Sequence, residues 1–191
     1  FAPSLGYITR RMKKHCKVIS ILDNVVPHEP HFFDTPLTRY FLKGSTGSVT
    51  LCEAVSKDLL KIRPDADYTV IQHPLYSHFG QKKDRYQIEE KLGLEHGKKN
   101  ILFFGLIRDY KGLDWLLRAF ADERLKDTNV RLIVAGEFYN NAEQYETLES
   151  ELGLKGRVIW HREFVPDEEV RYFFAAADLI AQPYKSATQS G

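Results

Sequence analysis

From Asn100 onward, apolar runs alternate with amphipathic segments, and few folds tolerate that pattern. "NILFFGL" is an unbroken apolar run, as a strand covered on both faces requires. "LDWLLRAFADERL" follows with Leu113, Leu116, Leu117 and Phe120 at helical spacing. "VRLIVAG" reads as a strand, "AEQYETLESELG" as a helix ending at Gly153, and "RVIWHREF" as a third strand. "DEEVRYFFAAA" places Val170, Phe173, Phe174 and Ala177 on one helical face. Its three opening carboxylates suit the positive end of the helix dipole. "DLIAQPY" supplies the fourth strand. Four strands joined by three helices specify an α/β fold: a doubly wound, parallel, Rossmann-like sheet with right-handed crossovers.

The first portion is less regular but of the same kind. "KVISILD", "SVTLCE" and "YTVIQHP" read as strands, and "AVSKDLLKI" as a helix. "DTPLTRYFLKG" reads as a helix with Thr35 as N-cap, Pro36 at the first position and Gly44 beyond its end. The polar, charged and glycine-spaced stretch between the two portions is the best linker. The expected division is 1–76, a linker at 77–98, and 99–191. The first portion is too short for a complete doubly wound domain, and the second stops after a strand without a closing helix. Both domains are therefore expected to be incomplete.

Composition narrows the partners. A formal net charge of +1 gives no global attraction to nucleic acid, so none is expected. The longest apolar run, "FFAAADLIAQ", is broken by Asp178 and is too short to cross a bilayer. No signal peptide is visible, and a cytoplasmic location is expected. Cys16 and Cys52 lie in apolar surroundings without metal-type spacing, and buried free thiols are expected. The basic run "RRMKKHCK" reads as a solvated helix face, with peripheral docking at the inner membrane face as the functional alternative.

In an open parallel sheet, ligands bind at the carboxyl ends of the strands. One such end reads "FGLIRDYKG", with Arg108 and Lys111 just before a helix begins near Gly112. Two cations beside free N–H groups at a helix N-terminus suit a diphosphate; the competing reading is two solvated loop cations. The last strand end reads "SATQSG", where Ser186, Thr188, Gln189, Ser190 and Gly191 offer donors and little bulk. Alone it could be a plain strand-to-helix cap. Together the two loops favour a phosphate held from both sides.

These loops, in this order, resemble the C-terminal domain of retaining glycosyltransferases of the group 1 (family 4) type, which have the two-domain GT-B architecture. The supporting strings are "FFGLIRDYKGLDWLLRAF", "RLIVAGEFY", "VPDEEVRYFFAAADLIAQPY" and "SATQSG". "VISILDNVVPHE", "LCEAVSKDLLKI" and "VIQHPLYSHFG" resemble the end of that family's N-terminal, acceptor-side domain. The resemblance implies sugar transfer, with retention, from a nucleotide-diphosphate-sugar donor to a glycan or lipid-linked acceptor, without a metal or other cofactor. Lys111 matches the family lysine that binds the donor diphosphate, and Arg108 is the candidate for its arginine partner. The family more often places that arginine two residues earlier, at Leu106 here. Gly136, Phe164 and Val165 match positions whose backbone meets the nucleotide base. The first of two family glutamates falls at Ala187, which leaves Thr188, Gln189 and Ser190, with Gly191, as donor-site candidates. The chain ends where the helix cradling the donor phosphates would begin, so alone it is expected to be weakly active or inactive.

His28, in "DNVVPHE", follows a strand end expected to face the interdomain cleft and is the candidate catalytic residue. The family's cleft histidine falls at Asp23 here, and a structural loop histidine is the competing reading for His28. Tyr139, with Asn140 and Asn141, either borders the cleft or simply forms a turn, and the turn is the preferred reading. His73, His78, His96 and His161 lack ligand spacing, and no metal site is expected. Two other classes stay open: a non-catalytic sugar-nucleotide-binding module, and an interaction domain in which Arg108 and Lys111 are incidental.

Overall fold

A computed structural model of the chain describes residues 2–27, 31–74, 79, 84–139 and 142–185. The chain divides into two compact units, the first over residues 1–75 and the second over 76–185.

The first unit runs α1 (Ala2–Met12), β1 (Ile19–Leu22), α2 (Asp34–Leu42), β2 (Gly47–Thr50), α3 (Glu53–Ile62) and β3 (Tyr68–Val70). Its strands are parallel in the order β1-β2-β3, with Ile21 opposite Val49 and Val49 opposite Thr69. Leu22, Leu42, Val55 and Leu59 form its core. Helices α1 and α2 meet through small residues: a methyl on Gly6 would strike the Tyr40 ring, and one on Gly44 would strike Thr9.

Two expectations fail here. Helix α2 starts at Asp34, whose carboxylate accepts the backbone N–H of His31 at 2.6 Å, so Thr35 lies inside the helix. Pro36 still falls in the first turn, where its missing N–H has no intrahelical partner to lose. The cysteines are free but not buried: Cys16 is exposed in the turn after α1, and Cys52 is half-buried.

The second unit runs α4 (Arg85–Lys91), β4 (Lys99–Phe104), a 3₁₀ turn (Asp109–Lys111), α5 (Leu113–Phe120), α6 (Glu123–Lys126) and β5 (Val130–Ala135). It continues with α7 (Glu143–Glu151), β6 (Val158–His161), α8 (Asp167–Ala176) and β7 (Leu179–Ile180). All four strands are parallel, in the order β6-β5-β4-β7. Side-chain alternation then splits the core into two layers. Leu102 and Ile133, opposite each other in register, pack with Ile88, Val170 and Phe173 of α4 and α8. Phe103 and Val134, the next pair, pack with Leu113, Leu117, Tyr145 and Leu148 of α5 and α7. Helices thus cover both faces, which is why β4 and β5 read as continuous apolar runs. Each fully buried leucine contributes about 1.5–3 kcal/mol, so these two layers dominate the unit's stability.

Local sequence departs from the simple pattern at three places. Residues 84–98, read from sequence within a linker, carry α4, capped by the Asp84 carboxylate, and bury Ile88 and Leu94 in the second unit. The stretch read as one helix after β4 breaks at Phe120, and α6 restarts behind Asp122, whose carboxylate accepts the Arg124 N–H. On α8, Phe174 is exposed and Tyr172 is buried in its place.

The amino ends of the strands carry a charged network. Asp178 accepts both guanidinium nitrogens of Arg85 at 2.9 Å, Lys99 Nζ at 3.0 Å and the Asn100 N–H at 2.8 Å. Glu89, 3% exposed, lies between Arg85 at 2.8 Å and His96 at 2.9 Å. Buried Arg131 donates to Asn100 Oδ1 at 2.6 Å and to the Glu95 carbonyl at 2.8 Å. The Arg85 hydrogen bond, partly opposed by burial, holds the Asp178 carboxyl well below its ordinary value of 3.8. A carboxyl depressed on folding stabilises above its unfolded value, and that stability disappears as pH falls through the folded one. The Asp178→Asn variant should therefore lose about 1–3 kcal/mol at pH 7, discounted for the partly exposed Arg85, and lose less stability than the wild type as pH falls from about 4 toward 2. Urea unfolding at stepped pH measures both; equal stability of the two proteins at pH 7 would refute the role given to Asp178.

Candidate functional site

In the second sheet, β5 and β6 lie to one side of β4 and β7 to the other, so the order in which strands are added reverses between β4 and β7. The loops leaving such a reversal at the carboxyl ends open a crevice. Here the loop after β4 and residues 183–185 after β7 come together. Lys185 N–H donates to the Tyr110 carbonyl at 2.7 Å. A methyl on Gly112 would lie 2.1 Å from the Pro183 carbonyl oxygen. Gly112 also has φ 73°, a left-handed value that ends the 3₁₀ turn and starts α5. The sequence placed this helix start correctly, and only glycine satisfies both demands.

The floor beside this turn is made of backbone. The Gly105 N–H donates to the Ala135 carbonyl at 2.9 Å, and the Gly136 N–H to the His161 carbonyl at 2.9 Å. A methyl on Gly136 would fall 2.2 Å from the Gly105 carbonyl oxygen. Three strand ends thereby converge with almost no side-chain bulk. Above them opens a cavity of about 300 Å³ lined by Phe104, Gly105, Leu106, Gly136, Glu137, Phe164 and Val165. Its walls are mainly apolar, apart from Glu137.

Lys111 overhangs this floor: a methyl on Gly105 would come 3.2 Å from Lys111 Nζ. The ammonium also lies 5.7 Å from the Tyr184 ring centre. Arg108 leaves the same loop and sets its guanidinium 3.8 Å from the Tyr139 ring centre. Neither cation forms an ion pair with a carboxylate among the described residues. Lys185, by contrast, is neutralised by Asp114 at 2.7 Å. Lys111 and Arg108 are therefore the uncompensated positive charges of this loop, beside the N-terminus of α5.

A larger cavity, about 410 Å³, lies between α5 and α7, lined by Asp109, Asp114, Arg118, Tyr145 and Lys185 among others. Much of its polar lining is already engaged. Asp109 accepts from Tyr145 at 3.2 Å and from Gln144 at 3.3 Å, and Asp114 holds Lys185. Burial, then the nearby Asp109 carboxylate, pushes the Tyr145 phenol far above its ordinary value. With Asp109, Tyr145, Asp114 and Lys185 engaged with one another or with Gln144, the glycine-floored cavity with its unpaired cations is the better candidate.

The site residues read from sequence fall into three groups. Gly136, Phe164 and Val165 line one cavity. Lys111 overhangs its Gly105 wall, whereas Arg108 is turned to Tyr139 and is not among the lining residues; Leu106 lines the cavity instead. His28, Thr188, Gln189, Ser190 and Gly191 lie outside the described residues. Sequence reasoning missed Phe104, Leu106 and Glu137, all neighbours of strand-terminal glycines, a position that marks them in hindsight. For Tyr139 it preferred a turn over a place at the cleft border. The register past β5 is what aligns it with Arg108, through the Ile107–Phe138 bridge.

A glycine floor, two cations unpaired among the described residues and an apolar cavity at a sheet reversal together have the chemistry to suit an anion beside a flat apolar group. The family described as Glycosyl transferases group 1 matches residues 84–188, more than half of the chain, and the chain belongs to that family. It is 28% identical over 136 residues to D-inositol 3-phosphate glycosyltransferase of Corynebacterium aurimucosum, covering 69% of this chain and 31% of that protein. It is 32% identical over 106 residues to alpha-monoglucosyldiacylglycerol synthase of Streptococcus pneumoniae, covering 54% of this chain and 23% of that one. The chain spans 23–31% of the length of the curated relatives it matches. Among solved structures it is similar to Anabaena HepE in complex with UDP and glucose, with TM-score 0.79, 17% identity and coverage of 95% of this chain and 50% of that one. It is also similar to sucrose-phosphate synthase of Thermosynechococcus elongatus, with TM-score 0.78, 13% identity and coverage of 97% and 49%. These likenesses place the fold among the Rossmann-like GT-B glycosyltransferases.

The crowding at Gly112 makes a direct prediction. Gly112→Ala should cost about 2–4 kcal/mol, from a left-handed alanine plus the collision with Pro183. Thermal unfolding measures it; a loss below about 0.5 kcal/mol would show that the two loops do not meet as described.

Proposed function

We propose that the protein containing this chain transfers a sugar from a nucleotide-diphosphate-sugar donor to a glycan or lipid-linked acceptor with retained anomeric configuration. One observation carries the reading: two cations without carboxylate partners among the described residues stand at the strand carboxyl ends beside a bare glycine floor and an apolar cavity. The floor admits a phosphate close to backbone, Lys111 and Arg108 supply its countercharge, and the walls at Phe164 and Val165 accept a base. As the bond from the anomeric carbon to the diphosphate oxygen breaks, negative charge grows on the leaving diphosphate. Fixed cations and free N–H groups at the start of α5 stabilise that charge more than the neutral-bond ground state, which lowers the barrier. The donor site assembled in this way is metal-free. His28 is the candidate contact to the reacting sugar, and Thr188, Gln189, Ser190 and Gly191 are the candidate donor contacts from the second loop. The names of the similar proteins support the class, and HepE was solved with UDP and glucose.

In domain terms, the first unit is the acceptor side and the second unit, with residues 84–98 in its core, is the donor side. Among the described residues, no helix is long and apolar enough to cross a membrane. We place the protein in the cytoplasm, with its basic run meeting the inner membrane face. Exposed Leu5, Ile8 and Met12 on α1, next to Arg10 and Arg11, support that contact.

The test is calorimetric titration of the full-length protein with UDP, ADP and GDP. Lys111→Ala should weaken the preferred nucleotide about 10–100-fold, the scale of one charge-assisted contact. Unchanged affinity would contradict the assignment, and donor hydrolysis by the wild type separates an enzyme from a binding module.

A further inference from the structure

Arg108 and Tyr139 are brought together by backbone, not by chance proximity of two surface side chains. Beyond the formal ends of β4 and β5 the ladder continues: Ile107 N–H donates to the Glu137 carbonyl at 2.8 Å, and Tyr139 N–H to the Ile107 carbonyl at 3.1 Å. Ile107, 2% exposed, anchors one side of this extension in the core. Phe138 anchors the other, packed against Tyr145 at 5.7 Å and Trp160 at 6.1 Å between ring centres. The residues that follow these two anchors are Arg108 and Tyr139, whose charge and ring face each other at 3.8 Å. Tyr139 is 59% exposed, so core packing does not explain an aromatic residue there.

An aromatic face attracts a guanidinium through its quadrupole and restricts its rotamers, yet adds no negative charge. A carboxylate in the same place would hold the arginine but cancel its field. We propose that Tyr139 is a positioning residue that presents the Arg108 guanidinium to the donor diphosphate without neutralising it. The proposal rests on the donor-site reading above. Lys111, 5.7 Å from the Tyr184 ring centre, repeats the arrangement more loosely. In both cases the cation stays available to an anion while its search over conformations is reduced, which is the preorganisation a developing charge needs.

The experiment is a double-mutant cycle in the full-length protein, with UDP, ADP and GDP as probes and Arg108 side-chain proton shifts as an independent readout. Tyr139→Leu keeps an apolar side chain without the quadrupole and should weaken nucleotide binding about 3–10-fold. Tyr139→Phe should remain within about twofold of the wild type, because the ring face is kept. In an Arg108→Ala background, Tyr139→Leu should cause no further loss. Without nucleotide, the Arg108 δ protons should be shifted upfield by the ring, and Tyr139→Leu should abolish that shift. Equal affinity of the Leu variant and the wild type, additive losses in the cycle, or an unshifted Arg108 would each overturn the role of Tyr139. If Lys111→Ala still weakens binding while Tyr139→Leu does not, only this proposal fails. A wild type that binds none of the three nucleotides removes the donor-site reading and this one with it.

Discussion

The close approach of the Gly105 carbonyl to Gly136 governs everything at the carboxyl end of the second sheet. With a methyl 2.2 Å from that oxygen excluded, the position must remain glycine, and the strand ends stay free of side chains. The same economy of bulk recurs at Gly112, where the turn after β4 is wedged against Pro183. Because strand order reverses at β4 and the crossover helices α5 and α8 lie on opposite faces of the sheet, the bare surface lies in a crevice instead of beneath a crossing loop. Lys111 and Arg108 are carried on the loop that leaves β4 beside that surface.

The two ends of this sheet use charge in opposite ways. At the amino end, Arg85, Lys99, Asp178 and Glu89 satisfy one another, and Arg131 is bonded to Asn100 and a carbonyl. Those groups lock α4 to the start of β4 and to the residue before β7, so their charges are paired within the fold. At the carboxyl end, Arg108 and Lys111 rest on tyrosine rings and keep their charge. A paired charge fixes structure, whereas an unpaired one stores attraction for something that arrives later. That contrast, more than cavity size, separates the candidate site from the larger and largely self-satisfied cavity between α5 and α7.

Much of the second unit was legible in its sequence because burial on both faces writes itself as continuous apolar runs, and "NILFFGL" and "VRLIVAG" became β4 and β5. Glycine marked the turns for the same reason: Gly112 and Gly153 both take left-handed φ. What periodicity could not show is tertiary choice. Ile88 and Leu94 sit in a polar stretch, and only the buried face of α4 reveals that residues 84–98 belong to the second unit's core. On α8, rotation by a fraction of a turn exchanged Phe174 for Tyr172 on the inner side. Within the site, Gly136, Phe164 and Val165 were readable as strand ends, but the Arg108–Tyr139 contact spans 31 positions and depends on a register that no local pattern encodes.

The central claim is geometric: a diphosphate belongs on the glycine floor beneath Lys111, with its base toward Phe164 and Val165. A crystal of the full-length protein soaked with its preferred nucleoside diphosphate tests this most directly. The account predicts phosphate density within hydrogen-bonding reach of Lys111 Nζ and beside Gly105, with the base against the apolar wall. Density confined to the cavity between α5 and α7, leaving Lys111 unengaged, would contradict it.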